Sequence, residues 1–246
     1  MPNLFNLKKL TIIIFTYNRH KYLKRTINYW LNYNVKLLIL DGSTTKLDDP
    51  CLKTKNIKYI YDTTGIYKRL LSSVNYIDTE FVILGSDDEF YLPSALSSSI
   101  EFLCKEPSYS SCGGYPLGFY VKEKLILGTK QYPFEDFCLD HNAASDRAIN
   151  HFSNYMPVHI YSVMSFNKWR IISSYVFGKK YSFMESWELQ IEFLSVIPGK
   201  SKIIPELMWL RNKDVSSERF DILKLAIGKW WVDKKYQDEK SDFLKR

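Results

Sequence analysis

The sequence predicts an α/β protein built on a mostly parallel sheet with helices on its faces. Three observations carry this. Residues 10–16 (Leu-Thr-Ile-Ile-Ile-Phe-Thr) are an unbroken apolar, β-branched run, as expected of a strand buried on both faces. Shorter runs recur at 35–40, 57–61 and 81–84, with helical patterns between them, which is the rhythm of right-handed βαβ crossovers. The runs also end in polar clusters: Thr16-Tyr17-Asn18-Arg19, Asp41-Gly42-Ser43 and Gly85-Ser86-Asp87-Asp88-Glu89.

The elements follow in order. After the first strand, Leu23, Ile27, Trp30 and Leu31 recur at helical spacing. Residues 35–40 and 57–61 are the second and third strands. Leu70, Leu71, Val74 and Ile77 predict a helix over 66–77, and 81–84 is the fourth strand. Pro93 opens a helix that runs through Cys104, since proline suits the first helical position. Beyond residue 105 the pattern loosens. Residues 111–116, with Gly113 and Gly114, read as a turn-rich loop. Residues 119–127 read as a strand with its turn at 128–130, and 131–145 as a loop. A helix over 146–155 and a strand over 158–164 follow, and 165–182 carry no assignment. Leu189, Phe193, Val196 and Ile197 mark the apolar face of a helix over 186–197. Residues 202–210 are strand-like despite Pro205, and a helix over 219–232 closes the pattern. No repeat or linker interrupts the chain. The expectation is one domain over 1–246, with a nucleotide-type sheet in 1–105 and substrate-specific additions in 106–246.

Composition narrows the class. The chain has 246 residues, 46% hydrophobic, 16% aromatic and 25% charged. That is enough apolar surface to exclude disorder. With Gly 10 and Pro 9, fibrous and low-complexity readings fail. Lys and Arg outnumber Asp and Glu by 34 to 27, for a net charge of +7, which suits an anionic partner without choosing one. The basic residues are interspersed with acids and form no nucleic-acid-binding block, so no nucleic acid is expected. Cys51, Cys104, Cys112 and Cys138 form no C-x-x-C pair, so buried thiols in a reducing compartment are expected. No basic start followed by a long apolar core opens the chain, and no run nears roughly 18 apolar residues. A cytoplasmic protein is the expectation.

The chemistry should gather where parallel strands end, because open α/β sheets bind ligands at the carboxyl ends of their strands. Carboxylates collected there repel one another unless a cation neutralises them. A hard divalent ion, Mg²⁺ or Mn²⁺, bridging a diphosphate is the economical answer. No G-x-G-x-x-G, G-x-x-x-x-G-K-[ST] or G-x-S-x-G segment is present, which argues against dinucleotide-binding, P-loop and α/β-hydrolase sites.

These residues resemble the family 2 glycosyltransferases of GT-A fold. Residues 10–19 look like that family's opening strand and T-Y-N-R turn, and Asp41-Gly42-Ser43 like its D-G-S. Gly65-Ile66-Tyr67-Lys68-Arg69 looks like its G-x-x-x-R segment, and residues 82–89 like its aspartate-rich D-x-D segment. The resemblance covers residues 10–104. It implies a nucleotide-diphosphate sugar donor, UDP-sugar favoured, a divalent metal, and inverting transfer to a hydroxyl of a glycan or lipid-linked acceptor. It implies that Thr16, Tyr17, Asn18, Arg19 and Asp41 contact the nucleoside. Gly65, Lys68 and Arg69 would lie toward the diphosphate or base, and Asp87 and Asp88 would hold the metal. Many members read D-S-D-D where this chain reads Gly85-Ser86-Asp87-Asp88. One ribose contact is therefore missing, and Glu89 is the candidate to compensate.

The family's general base lies at the start of a later helix, often as E-D. Here the segment is Met184-Glu185-Ser186-Trp187-Glu188, so the catalytic candidates are Glu185 first and Glu188 second. The competing reading is a solvated stripe, because Glu185, Glu188 and Glu192 share a helix face. Arg211 or Lys213 would close over the diphosphate, with Asn212 or Asp214 within reach of the metal. Arg147 and Tyr161 are candidates for an acceptor site, and His141, His151 and His159 read as surface or core residues. Trp230-Trp231 with Lys229, Lys234 and Lys235 forms a helix that would either touch an anionic membrane at its inner face or pack on the domain; packing is favoured. Low Gly with many Lys, Asn and Ile suggests a microbial source and bacterial surface-glycan (polysaccharide) biosynthesis. The alternatives are a sugar nucleotidyltransferase and a degenerate, non-catalytic GT-A binding protein.

Overall fold

The computed structural model describes residues 4–132, 137–153, 155–178, 184–213 and 226–245, with backbone only at 184–185 and 226–227. A short 3-10 turn, Leu4–Lys9, leads into β1 (Leu10–Thr16). Then come α1 (His20–Trp30), β2 (Lys36–Asp41), β3 (Ile57–Tyr61), α2 (Ile66–Ser72), β4 (Phe81–Ser86), β5 (Phe90–Tyr91) and α3 (Pro93–Lys105). The second half holds β6 (Tyr109–Lys122), β7 (Leu125–Lys130), β8 (Cys138–Leu139), α4 (Ala144–Ser153), a 3-10 turn His159–Tyr161, β9 (Val163–Ser165) and α5 (Phe166–Val176). It closes with α6 (Met184–Ser195), β10 (Lys200–Asn212), α7 (Ala226–Val232) and α8 (Gln237–Leu244).

One 10-stranded sheet runs through both halves in the order β3-β2-β1-β4-β9-β6-β10-β5, with β7 on β6 and β8 on β10. The pairs β3·β2, β2·β1 and β1·β4 are parallel, as predicted. From β9 onward the sheet is mixed: β4·β9, β9·β6 and β10·β5 are antiparallel and β6·β10 is parallel.

Burial on both faces follows from the alternation of side chains along a strand. Ile12 and Ile14 of β1 join Leu37, Ile39 and Ile83 against Leu23, Ile27 and Trp30 of α1 and Leu96 and Ile100 of α3. Ile13 joins Leu38, Leu40, Val82 and Leu84 on the other face, against Leu70, Trp169, Ile172, Val176, Trp187 and Ile191. Each such side chain contributes roughly 1.5–3 kcal/mol by leaving water.

Several expectations need correction. Residues 111–116 lie within β6, not in a loop. Gly113 and Gly114 mark close packing rather than a turn: a Cβ on Gly114 would sit 2.5 Å from the Glu206 carbonyl oxygen, and one on Gly113 2.5 Å from Ser162 Oγ. Residues 128–130 are strand, because the hairpin turns earlier, at Glu123 (φ 56°). Residues 158–164 divide into a 3-10 turn and a short strand. Helix α5 has no counterpart in the sequence reading; Ser165 caps it by accepting from the Lys168 amide. The face predicted for α6 is divided: Val196 is buried and Leu189 half-buried, but Phe193 and Ile197 are exposed, and the helix packs through Trp187, Ile191 and Leu194. Leu31 lies just past α1 and is exposed. Of the cysteines only Cys112 is buried, and Cys104 is exposed. Pro205 is accommodated where the β10·β6 register shifts, between Ile203 and Leu207, a break that spares a proline the missing ladder bond. Residues 219–225 of the last predicted helix lie outside the described residues.

Candidate functional site

The parallel strand ends meet at one edge, and their polar residues interlock. Thr16, ending β1, donates its hydroxyl to Asp87 Oδ2 at 2.7 Å. Asp87 also accepts, on its backbone oxygen, the Thr26 hydroxyl of α1. Arg19 lies between the two acids, 3.4 Å from Asp87 Oδ1 and 2.5 Å from Asp88 Oδ2. Ser86 donates to Asp88 Oδ1 at 2.7 Å, and Arg25 reaches the Asp88 carbonyl. Burial raises the Asp87 pKa to about 6, against the pull of Thr16 and Arg19. The acids are therefore crowded and desolvated, with Arg19 bridging their carboxylates and Arg25 close by.

This donor set suits a hard divalent cation: it is all carboxylate oxygen, from adjacent residues, and burial works against the charge of Asp87. Asp87 and Asp88 are the residues that would hold one.

The loop around this centre is fixed from below. Asn18 adopts a left-handed backbone (φ 55°), which asparagine tolerates better than most residues. Its side-chain oxygen accepts from the Thr44 amide at 2.9 Å, and its own amide donates to Ser43 Oγ. Asp41 is fully buried and accepts from Tyr59 at 2.7 Å, from the Ser43 amide at 2.8 Å, and pairs with His20 at 3.0 Å. These hydrogen bonds outweigh its burial and lower its pKa.

Arg69 is buried as well. It donates to the carbonyl oxygens of Thr64, Thr16 and Leu40 at 3.1, 3.2 and 2.8 Å. A Cβ on Gly42 would lie 2.3 Å from this guanidinium, so glycine is what leaves room for it. Asp41 and Arg69 thus organise the loops from beneath. Tyr17, Gly65 and Lys68 are exposed around the edge.

On the other side, Glu89 turns toward β10. It accepts from Trp209 Nε1 at 2.9 Å and lies 3.7 Å from Arg211 Nε. Burial raises its pKa to about 7, with Arg211 opposing. Glu89 is therefore engaged with β10 and does not stand in for the acid replaced by Gly85. At Gly85 itself a Cβ would meet Ile12 Cγ2 at 3.1 Å. Arg211 also donates to the Tyr132 hydroxyl at 3.0 Å.

Tyr161 stacks on Trp209, with ring centroids 3.7 Å apart. Its pKa is raised by burial, with further contributions from the charges of Glu188 and Glu89. Glu185 lies in the first turn of α6, and its side chain is outside the described residues. Ser186, which stands where the resemblance expects an aspartate, is buried. Lys213 and Asn212 follow Arg211 at the end of β10, and Asp214 lies outside the described residues.

Two candidates find other employment. Arg147 does not line an acceptor site: it is buried, and its guanidinium donates to the carbonyls of His141, Asn142, Val196 and Ile197. The glutamate face of α6 is not a solvated stripe, because Glu192 is fully buried against His151 and His159. Trp230 is buried against Phe243 and bonds Glu239, while Trp231 is 48% exposed. Among the described residues no helix is long and apolar enough to cross a membrane.

Sequence reasoning passed over His20, Thr26 and Tyr59 as partners of the acids. His20 directly follows the T-Y-N-R turn and was the readable signal. Tyr59 lies in a separate strand, so only the sheet register (Ile39↔Tyr59) brings it to Asp41. A hollow of about 430 Å³, lined by Tyr115, Pro116, Leu117, Lys130, Tyr132 and Leu207, adjoins this side through Tyr132. Another, of about 400 Å³, lies at the amino-terminal ends of the strands and holds none of the expected site residues.

A parallel sheet whose first strand ends feed acids and an arginine into one edge, extended by mixed strands, is the GT-A architecture of glycosyltransferases. The sequence matches the family described as glycosyl transferase family 2 over residues 11–185, and the chain belongs to that family. A search of curated proteins returns no significant match. Among solved structures, S. aureus TarS 1–349 in complex with UDP-GlcNAc aligns with a TM-score of 0.63 at 14% identity, over 96% of this chain and 70% of that one. The same fragment in complex with UDP gives 0.61 at 15% identity, over 96% and 69%. A further TarS structure gives 0.59 at 14% identity, over 95% of this chain, which spans only 42% of that longer one.

Proposed function

We propose that the chain transfers a sugar from a nucleotide-diphosphate sugar to an acceptor hydroxyl, with inversion at the anomeric carbon. UDP-sugars are the favoured donors, in keeping with the UDP and UDP-GlcNAc complexes of the TarS structures. The carrying observation is the convergence of Thr16, Arg19, Asp87 and Asp88 at the parallel strand ends. The 1–105 half supplies this donor side. The 106–246 half would supply the acceptor side, through Tyr161, Arg211 and the hollow beside Tyr132.

Asp87 and Asp88 would hold Mg²⁺ or Mn²⁺, which when bound supplies positive charge to a departing diphosphate. Arg19, now shared between the acids, would turn its guanidinium to the phosphates, and Arg211 would approach them from the β10 side. The loop 16–19 would seat the nucleoside over the Asp41 and Arg69 scaffold, with Gly65 and Lys68 at the rim. A glutamate of α6 removes the acceptor proton as the hydroxyl oxygen attacks the anomeric carbon and the bond to the diphosphate breaks. Glu185, in the first turn of α6, is the first candidate for this base, and Glu188, one turn further on, is the second. An acceptor on a glycan or lipid carrier, at the inner face of a bacterial membrane, is the setting this reading implies.

Thermal-shift titration with UDP-, GDP- and CDP-sugars, with and without Mn²⁺, tests the reading. A ligand that binds only the native state raises the melting temperature. A metal-dependent rise with one nucleotide class supports it. No rise with any donor, in either condition, overturns it.

A further inference from the structure

A second cluster of ionisable groups lies in the interior of the second half, and the site chemistry leaves it unused. Lys168 of α5, Ser111 of β6, Ser201 of β10, His159 of the 3-10 turn, Glu192 of α6 and His151 of α4 are all buried. Their hydrogen bonds form one continuous chain. Lys168 Nζ donates to Ser111 Oγ at 2.9 Å and to Ser110 Oγ at 3.3 Å. Ser111 Oγ meets Ser201 Oγ at 2.8 Å, and Ser201 Oγ meets His159 Nε2 at 2.9 Å. His159 Nδ1 lies 2.7 Å from Glu192 Oε2, which His151 Nε2 approaches at 3.0 Å. The Glu192 carboxylate also accepts the backbone amides of His159 and Ile160, at 3.2 and 2.9 Å.

The carboxylate end fixes its direction. An ionised carboxylate only accepts, so a neutral His159 keeps its proton on Nδ1, facing Glu192, and its Nε2 accepts from Ser201. Ser201 has then given its one proton, so it accepts from Ser111, which accepts from Lys168. Every link is satisfied with both histidines neutral. The lone remainder is His151 Nδ1, which is buried without a partner beside Phe137, Phe152 and Tyr155.

His151, His159 and Glu192 also place potential ligand atoms within 4.8 Å of one another, so a metal ion is the competing occupant. Hydrogen bonding decides against it. Glu192 Oε2 already takes the His159 amide and the facing ring nitrogens of both histidines, and Oε1 takes the Ile160 amide. His159 Nε2 is taken by Ser201, so these groups are satisfied without an ion.

We infer that Lys168 and Glu192 are the two ends of one buried hydrogen-bond relay through Ser111, Ser201 and His159, and that this relay is a positioning network for the active site. It joins α6, which carries Glu188, to β10, which carries Arg211. Its effect on catalysis rests on the glycosyltransferase reading; its existence does not.

A double-mutant cycle tests the existence. Glu192→Gln and Lys168→Met should each lower the melting temperature by roughly 10 °C, because each leaves buried polar partners unsatisfied. The double variant should lose clearly less than the sum of the two. Additive losses overturn the relay. If either single variant fails to fold, Ser201→Ala breaks the middle of the chain more gently. Its melting-temperature loss should shrink in a Ser111→Ala background, and an unchanged loss overturns the relay. Stoichiometric metal in the purified protein, with melting lowered by a chelator, would overturn it in favour of an ion.

For positioning, the folded Ser201→Ala protein should bind UDP as the wild type does, while kcat for sugar transfer falls at least tenfold with the donor KM unchanged. An unchanged kcat overturns the positioning role. A wild type that binds no nucleotide would sink the transferase reading and leave the stability cycle as the test of the relay.

Discussion

The two acidic centres of this protein are built from similar residues and behave oppositely. At the strand ends, Asp87 and Asp88 share Arg19, whose side chain is 31% exposed, and burial raises the Asp87 pKa. In the second half, Glu192 has no exposure and accepts from two histidines and two amides, and its pKa is held well down. A carboxylate pair whose cation is partly exposed can exchange that partner for a metal ion or a phosphate-bound ligand. One whose partners are all sealed holds elements together. Acid content alone does not mark a reactive site; the access of its partners does.

The sharpest break of this comparison is a paired substitution. Asp88→Asn should lower sugar transfer by roughly 10²–10³-fold with little change in melting temperature. Glu192→Gln should do the reverse in emphasis, lowering melting first. Transfer rates and thermal denaturation measured on both proteins check it, and equal melting losses would erase the distinction.

Acidity sharpens it next. Burial lowers the His159 pKa from 6.5 to about 4, and its partners lower that of Glu192 from 4.5 to about 2. Both groups bind fewer protons folded than unfolded, so their contribution is complete above pH 6.5. Between pH 6.5 and 4 the folded state should lose on the order of a few kcal/mol through His159, and more below 4.5 through Glu192. Lys168, His151, Arg147 and Tyr155 surround the same cluster. Denaturant midpoints across that range should show the fall in the wild type and a shallower one in His159→Asn.

Arg69→Met comes third. It removes the guanidinium bonds to the carbonyls of Thr16, Leu40 and Thr64, of which Thr16 keeps the Gly42 amide, and should cost about 2–4 kcal/mol, read in urea melts. It should also weaken donor binding, because the loops above lose their support. Gly114→Ala is the smallest, at about 1–3 kcal/mol, since its new methyl meets a backbone oxygen on β10. Activity per folded molecule should be retained there, which separates sheet packing from site chemistry.

The first half was largely legible because each local signal agreed with the fold. Short β-branched runs such as Ile12-Ile13-Ile14 read as strands buried on both faces, and their ends announced Thr16, Asp41 and Asp87. The second half resisted because its glycines and polar residues answer to partners far along the chain. Gly113 and Gly114 resemble a turn until Ser162 and Glu206 are known to press on them. Glu192 looks like surface until His151 and His159 arrive from other elements. The same limit hid Tyr59 behind Asp41, and it concealed the employment of Arg69 and Arg147 on backbone carbonyls.

The placement of Arg69 has a consequence for motion. Its guanidinium ties α2 to the ends of β1 and β2 through their own carbonyls, so these segments should open as one cooperative unit. Amide hydrogens in α2 should then exchange with solvent at rates that track those of residues 16–18. A nucleotide that quiets the loop should slow exchange in α2, a helix whose buried face it never touches.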